Sequence, residues 1–196
     1  MYYFASDVHL GLVYEQGDHT RERVFVAWLD SIKHDAKEIY LVGDIFDFWF
    51  EYGHVVPKGF TRTLGKIAEL TDAGIKVHFF AGNHDMWARN YFERECGMII
   101  HYRGELVQHA GKTIMVAHGD NLRTEGQPML KLMNALFRSN LARWLFRNLL
   151  HPDLSMRFGK WWSGKSRKSH SMDQITPDSL NFLIDYAREY KASKPE

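Results

Sequence analysis

Four apolar, β-prone runs each end in a short cluster of Asp, His or Asn, and this repeated ending constrains the fold more than any bulk property. Tyr2 to Ser6 runs into Asp7-Val8-His9, and Glu38 to Val42 into Gly43-Asp44. Ile75 to Ala81 runs into Gly82-Asn83-His84-Asp85, and Thr113 to Ala117 into His118-Gly119-Asp120. Between the first three lie segments with apolar residues at helical spacing. These are Val24, Phe25, Trp28, Leu29 and Ile32 within Thr20 to Lys33, and Leu64, Ile67, Ala68 and Leu70 within Thr61 to Ala73. Strand alternating with helix predicts an α/β sheet, where the carboxyl ends of several strands converge on one site. Topology then gathers groups that are remote in sequence.

Met98 to His101 and Glu105 to His109 read as further strands, with Ala110-Gly111 as a hairpin turn. Met129 to Leu150 reads as one helix ended by Pro152, and Gly159, Ser163, Gly164 and Ser166 predict a looser segment near residue 160. Pro177 suits the first position of a last helix reaching about Tyr190. There is no repeat or linker, so residues 1–196 read as a single domain.

Asp7 and His9, two apart, can converge on one ion from a single loop, and a carboxylate such as Asp44 can bridge two. Asn83 adds an amide oxygen and His118 an imidazole. Mixed O/N donors suit manganese, iron, zinc or similar ions better than a soft-metal cluster. Cys96 is the only cysteine, which leaves no internal disulfide and no thiolate cluster and fits a reducing compartment. Singly, Asp7 or Asp44 reads as a turn residue. Taken with His9, Asn83 and His118, that reading fails.

In this order, each after a strand, the four blocks resemble the signature blocks of the calcineurin-like metallophosphoesterase superfamily. The resemblance implies an α/β metallophosphoesterase β-sandwich flanked by helices, with two divalent metal ions: manganese first, then iron, zinc or magnesium. It implies Asp7, His9 and Asp44 on one ion and Asp44, Asn83 and His118 on the other. His84 would be the catalytic group beside the phosphate, with Asp85 and Asp120 orienting the histidines. It also implies a Gly-His-x-His block after another strand, which these 196 residues lack, so the sandwich is expected to be without its C-terminal strands.

Gly43-Asp44-Ile45-Phe46-Asp47-Phe48-Trp49 has no Arg of the kind protein phosphatases of the superfamily carry there. That stretch, Phe4 to Leu10, and His118 to Leu122 are similar instead to the UDP-2,3-diacylglucosamine hydrolase family of lipid A biosynthesis. That family also carries a helical insertion after its His-Gly-Asp block, although it has Arg where this chain has His84. The resemblance implies pyrophosphate hydrolysis of UDP-2,3-diacylglucosamine to a lipid 1-phosphate and UMP. The alternatives are a soluble phosphodiesterase on nucleotides or other small phosphodiesters, and a non-catalytic membrane-associated binding protein.

Charge sharpens this picture. From Pro128 to His170 there are nine Lys and Arg against Asp153 alone, while the whole chain carries only +1, so a basic element sits on an acidic body. It falls in the expected helical lid, about residues 121–170. Leu130, Met133, Phe137, Leu141, Trp144 and Leu145 form an apolar stripe flanked by Arg138, Arg143 and Arg147. Such a stripe suits packed core, expected for about half of it, or the surface of an anionic membrane. Lys165 and Lys168 are candidate substrate-phosphate contacts, and Asp47 could serve structure or site. No apolar run approaches the ~20 residues of a spanning helix, and no signal peptide is evident. A phosphorylated small molecule or lipid is the expected substrate, and no nucleic-acid partner is expected. The expected location is the cytoplasm, with peripheral contact at the cytoplasmic face of the inner membrane.

Overall fold

The computed structural model describes residues 1–11, 19–119, 139–170 and 184–190 with Ala135 and Asn181; of 165–170 it describes the backbone. Strands β1 (Tyr2–Ala5), β2 (Glu38–Val42), β3 (Lys76–Phe80) and β4 (Ile99–His101) form a parallel sheet in that order. Helices α1 (Thr20–Ile32), α2 (Thr61–Asp72) and α3 (Tyr91–Cys96) make the crossovers. Strands β5 (Glu105–His109) and β6 (Lys112–Val116) pair antiparallel as a separate hairpin. Its turn, Ala110-Gly111, has both residues at positive φ, 51° and 75°, which matches the twist of the flanking strands.

Side-chain alternation splits the sheet into two buried faces. Ile39, Leu41, Val77 and Phe79 join Phe25, Leu29 and Ile32 of α1 and Ile67 and Leu70 of α2 in the main core. Tyr40 and Phe80 point the other way and pack against Val116 of the hairpin. This is the two-layer arrangement expected of an α/β sandwich, with the β5–β6 hairpin as the second layer. Each buried Phe, Leu or Ile contributes about 1.5–3 kcal/mol. Val24, expected on the core face of α1, is instead 65% exposed, because the buried stripe runs Phe25, Leu29, Ile32.

The short helix α3 was not foreseen. Its six residues are too few for periodicity to register. Helices α4 (Asn140–Leu149) and α5 (Pro152–His170) correct two further expectations. The single helix from Met129 to Leu150 does not hold, since Ser139 is extended and caps α4 by accepting from Ala142 N at 3.4 Å. The looser segment near residue 160 is helical throughout. Pro152 starts α5 rather than merely ending its predecessor, a position where its missing N–H costs nothing. Among the described residues Ser155, Gly159 and Ser163 recur at i, i+4, i+8 as the buried stripe of α5, so Gly159 and Ser163, expected to loosen the chain, are contact residues.

No residue of α4 is buried; Leu141, Trp144 and Leu149 are 66%, 58% and 72% exposed. The half of the stripe expected in the core is therefore not there within α4. Met129 to Asn134 and Leu136 to Arg138 lie outside the described residues. Among the described residues no helix is long and apolar enough to cross a membrane.

Helix α2 has no side-chain cap of its own. Glu22 of α1, 2% exposed, supplies one from outside, accepting from Arg62 N at 3.1 Å and Thr63 N at 3.2 Å. These are orphan donors of the first turn, and a carboxylate there also meets the positive end of the helix dipole. Glu22→Ala is expected to cost about 2–3 kcal/mol, the value of charge-assisted hydrogen bonds plus stranded donors, with Glu22→Gln recovering part. Urea unfolding of the three proteins tests this, and an Ala variant as stable as wild type refutes the capping role.

Candidate active site

The chain leaves β1 and β2 side by side and keeps pairing beyond both strands. Asp7 N donates to Gly43 O at 3.1 Å, His9 N to Asp44 O at 2.9 Å and Leu10 N to Ile45 O at 2.8 Å. Holding this course as the strands end puts Asp7, His9 and Asp44 at φ of 54°, 48° and 53°. Three non-glycine residues in the left-handed region at one spot is strain that the surrounding structure must hold in place.

Asp85, fully buried, does much of that holding. Its Oδ2 accepts from Ile45 N at 2.9 Å and Phe46 N at 3.3 Å, and its Oδ1 from Gly82 N at 2.8 Å and Asp44 N at 3.4 Å. Burial and then the neighbouring Asp44 carboxylate push its pKa up to about 7, against the pull of the Gly82 and Phe46 N–H groups. Two glycines make the close approach workable. A Cβ on Gly82 would lie 2.2 Å from Asp44 Oδ1, and one on Gly43, at φ 78°, would lie 2.4 Å from the His118 ring.

The result is one buried carboxylate, Asp44, with imidazoles on two sides. His118 Nε2 is 3.4 Å and His84 Nε2 3.7 Å from Asp44 Oδ2. Each ring has its other nitrogen on a backbone carbonyl: His118 Nδ1 on Val42 O at 3.0 Å and His84 Nδ1 on Asp47 O at 2.8 Å. A carbonyl only accepts, so both Nδ1 atoms carry hydrogen and each ring turns its Nε2 toward the Asp44 carboxylate. Burial alone would raise the Asp44 pKa, but His118, then His84 with its backbone N–H, hold it below the usual value. Burial lowers the pKa of His9, outweighing the pull of Asp44, and keeps its ring neutral. His9 Nε2 is 4.0 Å from Asp7 Oδ1, and its Nδ1 faces Asp47 Oδ1 at 3.6 Å.

Imidazole nitrogens and carboxylate oxygens converging on one point form the donor set a divalent ion takes. Two such sets share Asp44: Asp7, Asp44 and His118, and His9, Asp44 and His84, each with donor atoms within 4.8 Å of one another. The residues thus fit divalent metals. Besides residues expected as ligands, the second set takes in His84, expected beside the phosphate, while Asp7 also lies 4.0 Å from His9. Asn83 is half-buried and lines a small pocket with His84, Trp87 and Trp162. Asp120 lies outside the described residues, as do the side chains of Lys165 and Lys168.

Helices α4 and α5 cover the loop after β2. Phe146 packs on Phe50 and Trp87 with centroids 4.9 and 5.1 Å apart. A Cβ on Gly159 would lie 2.4 Å from the Phe48 ring, so α5 rests on that ring directly. Ser163 Oγ donates to Asp47 Oδ1 at 2.8 Å. Beside this contact opens a cavity of about 690 Å³, lined by Leu10, Phe48, Val56 and Phe60, and by Met156 from α5. Lys58, Arg157 and Lys160 also line it, so apolar surface and cations share one space. Nothing in the residue order signals this cavity, because its walls come from segments about 100 residues apart.

Residues 2–182 match the calcineurin-like phosphoesterase family. A UDP-2,3-diacylglucosamine hydrolase of Porphyromonas gingivalis is 43% identical over 206 aligned positions, covering 99% of this chain and 78% of that protein. A hydrolase of the same name from Histophilus somni is 27% identical, covering 97% of this chain and 80% of its own. One from Pseudomonas aeruginosa is 29% identical, covering 90% and 73%. With a strand-end carboxylate shared by two donor sets, and this match along nearly its whole length, the chain belongs to the calcineurin-like phosphoesterase family.

Proposed function

We propose that the chain is a metal-dependent hydrolase that splits the pyrophosphate of UDP-2,3-diacylglucosamine, releasing UMP and a lipid 1-phosphate. The observation that carries this reading is the Asp44 carboxylate shared by two donor sets, together with a large, cation-lined cavity that reaches Asp47 beside His9. The 43% identity to a hydrolase of that name supports the choice of substrate.

Asp7, His9, Asp44, Asn83 and His118 would hold two divalent ions, with manganese the favoured metal and Asp44 able to serve both. When bound, such ions polarise phosphoryl oxygens and lower the pKa of water. The chain's own residues do the rest. The Val42 carbonyl fixes the His118 tautomer, and the Asp47 carbonyl fixes that of His84. His84, with its Nδ1 proton committed, has only Nε2 to offer the phosphoryl group. Protonated there, it donates to a phosphoryl oxygen and offsets the charge that develops on it. Asp85 and Asp120 orient the histidine-bearing loops. The cavity takes acyl chain against Leu10, Phe48, Val56 and Met156, and Lys58, Arg157, Lys160, Lys165 and Lys168 attract phosphate.

Helices α4 and α5 act as a lid within a single domain. The exposed Leu141, Trp144 and Leu149, with Arg143 and Arg147 on the same helix, suit peripheral contact with anionic lipid at the cytoplasmic face of the inner membrane.

Purified protein given UDP-2,3-diacylglucosamine should release UMP, lose activity to a chelator and regain it with Mn²⁺. Failure to release UMP while hydrolysing simple phosphodiesters would replace the lipid substrate with a soluble one. His84→Ala should lower kcat by about 10²-fold or more, as for loss of a positioned proton donor, with two manganese ions retained by elemental analysis. Loss of an ion would instead make His84 a ligand. Gly43→Ala, which drives a Cβ into His118, should lose metal as well as activity. Sedimentation with phosphatidylglycerol vesicles tests the lid: Arg147→Ala should weaken binding about fivefold at low salt, by the ~1 kcal/mol each basic residue contributes there. Equal binding to neutral vesicles would refute the electrostatic part.

A further inference from the structure

Asp47 touches both the covering helix and the centre. Its carboxylate oxygen Oδ1 accepts from Ser163 Oγ on α5 at 2.8 Å and faces His9 Nδ1 at 3.6 Å, and its carbonyl accepts from His84 Nδ1 at 2.8 Å. Ser163 and Asp47 are 1% and 4% exposed, so little of the pair meets water. His9 Nδ1 is itself buried without a hydrogen bond, with this oxygen in front of it. A histidine that offers Nε2 to a metal is oriented by an acceptor for its Nδ1–H. Here the natural acceptor is the oxygen that the covering helix grips from its other side.

We infer that Ser163 is a positioning residue: from α5, its hydroxyl holds the Asp47 carboxylate where it orients His9, so that seating the helix sets the geometry of the metal centre. The inference rests on the metal-binding reading above and adds a residue from outside the strand-end loops. Gly159, one turn before Ser163, allows the close approach, because any larger residue would meet the Phe48 ring. Sequence spacing alone could not pair Ser163 with Asp47 across 116 residues.

Calorimetric titration of Mn²⁺ into metal-stripped protein tests this, with melting temperatures recorded for each variant. Ser163→Ala should weaken Mn²⁺ binding by about tenfold, the lower end of what loss of an outer partner costs. Asp47→Asn should weaken it at least as much, and the double variant no more than Asp47→Asn alone, because both act through one oxygen. Ser163→Thr, which keeps the hydroxyl, should bind like wild type. So should Ser155→Ala, which removes another buried hydroxyl from the same stripe of α5. Wild-type affinity in Ser163→Ala overturns the inference, and so does a double variant that shows the product of the two single effects. Equal weakening in Ser155→Ala or Ser163→Thr also overturns it, since loosened packing would then be the cause. Asp47→Asn preserves shape and keeps the test open if Ser163→Ala fails to fold. A wild-type chain that takes up no Mn²⁺ overturns the metal reading itself; wild-type uptake with Ser163→Ala unchanged overturns only the role of Ser163.

Discussion

The site depends on where the Asp85 carboxylate finds its partners. It lies at the end of β3, yet three of its four backbone donors, Asp44, Ile45 and Phe46, belong to the loop after β2. A buried carboxylate without donors would be costly, and buried amides without acceptors nearly as much. Each group removes the other's penalty, so the two loops are held together by groups that have no water to turn to. The left-handed turns at Asp7, His9 and Asp44 are tolerable inside that frame and would relax outside it.

The same physical device recurs at the helix starts. Glu22 caps α2 from α1, and Glu51 accepts from Asn90 N and Tyr91 N at the start of α3 while also taking the Trp49 indole N–H. In each case a buried acid stands where a helix lacks a cap of its own. The acids belong to neighbouring segments, so each cap also fixes how two elements sit relative to one another. Glu22 ties α1 to α2, and Glu51 ties the loop after β2 to α3. That loop therefore has three anchors, in Asp85, α3 and α5, which suits a segment carrying Asp44 at one end and the floor of the cavity at the other.

Much of the fold was legible because burial of a parallel sheet on both faces leaves a plain pattern. Ile39, Leu41, Val77 and Phe79 alternate with Tyr40, His78 and Phe80, and every one of these positions meets protein. Ala110-Gly111 was readable as a hairpin for its turn chemistry. The reading went astray where a local rule had two meanings. Gly159 and Ser163 break helices in isolation, but against Phe48 and Asp47 they let a helix come close. The stripe on α4 has the spacing of a core helix, and spacing says nothing of whether a partner surface exists.

By itself the sequence determined the kinds of donor and their place at strand ends, because apolar runs and the polar clusters that end them are local facts. It determined too that a basic, aromatic helical region follows the last of them. Only the tertiary structure brought Asp7, His9, His84 and His118 together around Asp44. Only it tied Asp47 to Ser163 and opened a cavity between Phe48 and Met156. The physical reason is that these are relations across loops and a packed helix, fixed by which buried acceptor satisfies which donor in space. Residue order along the chain does not carry that information.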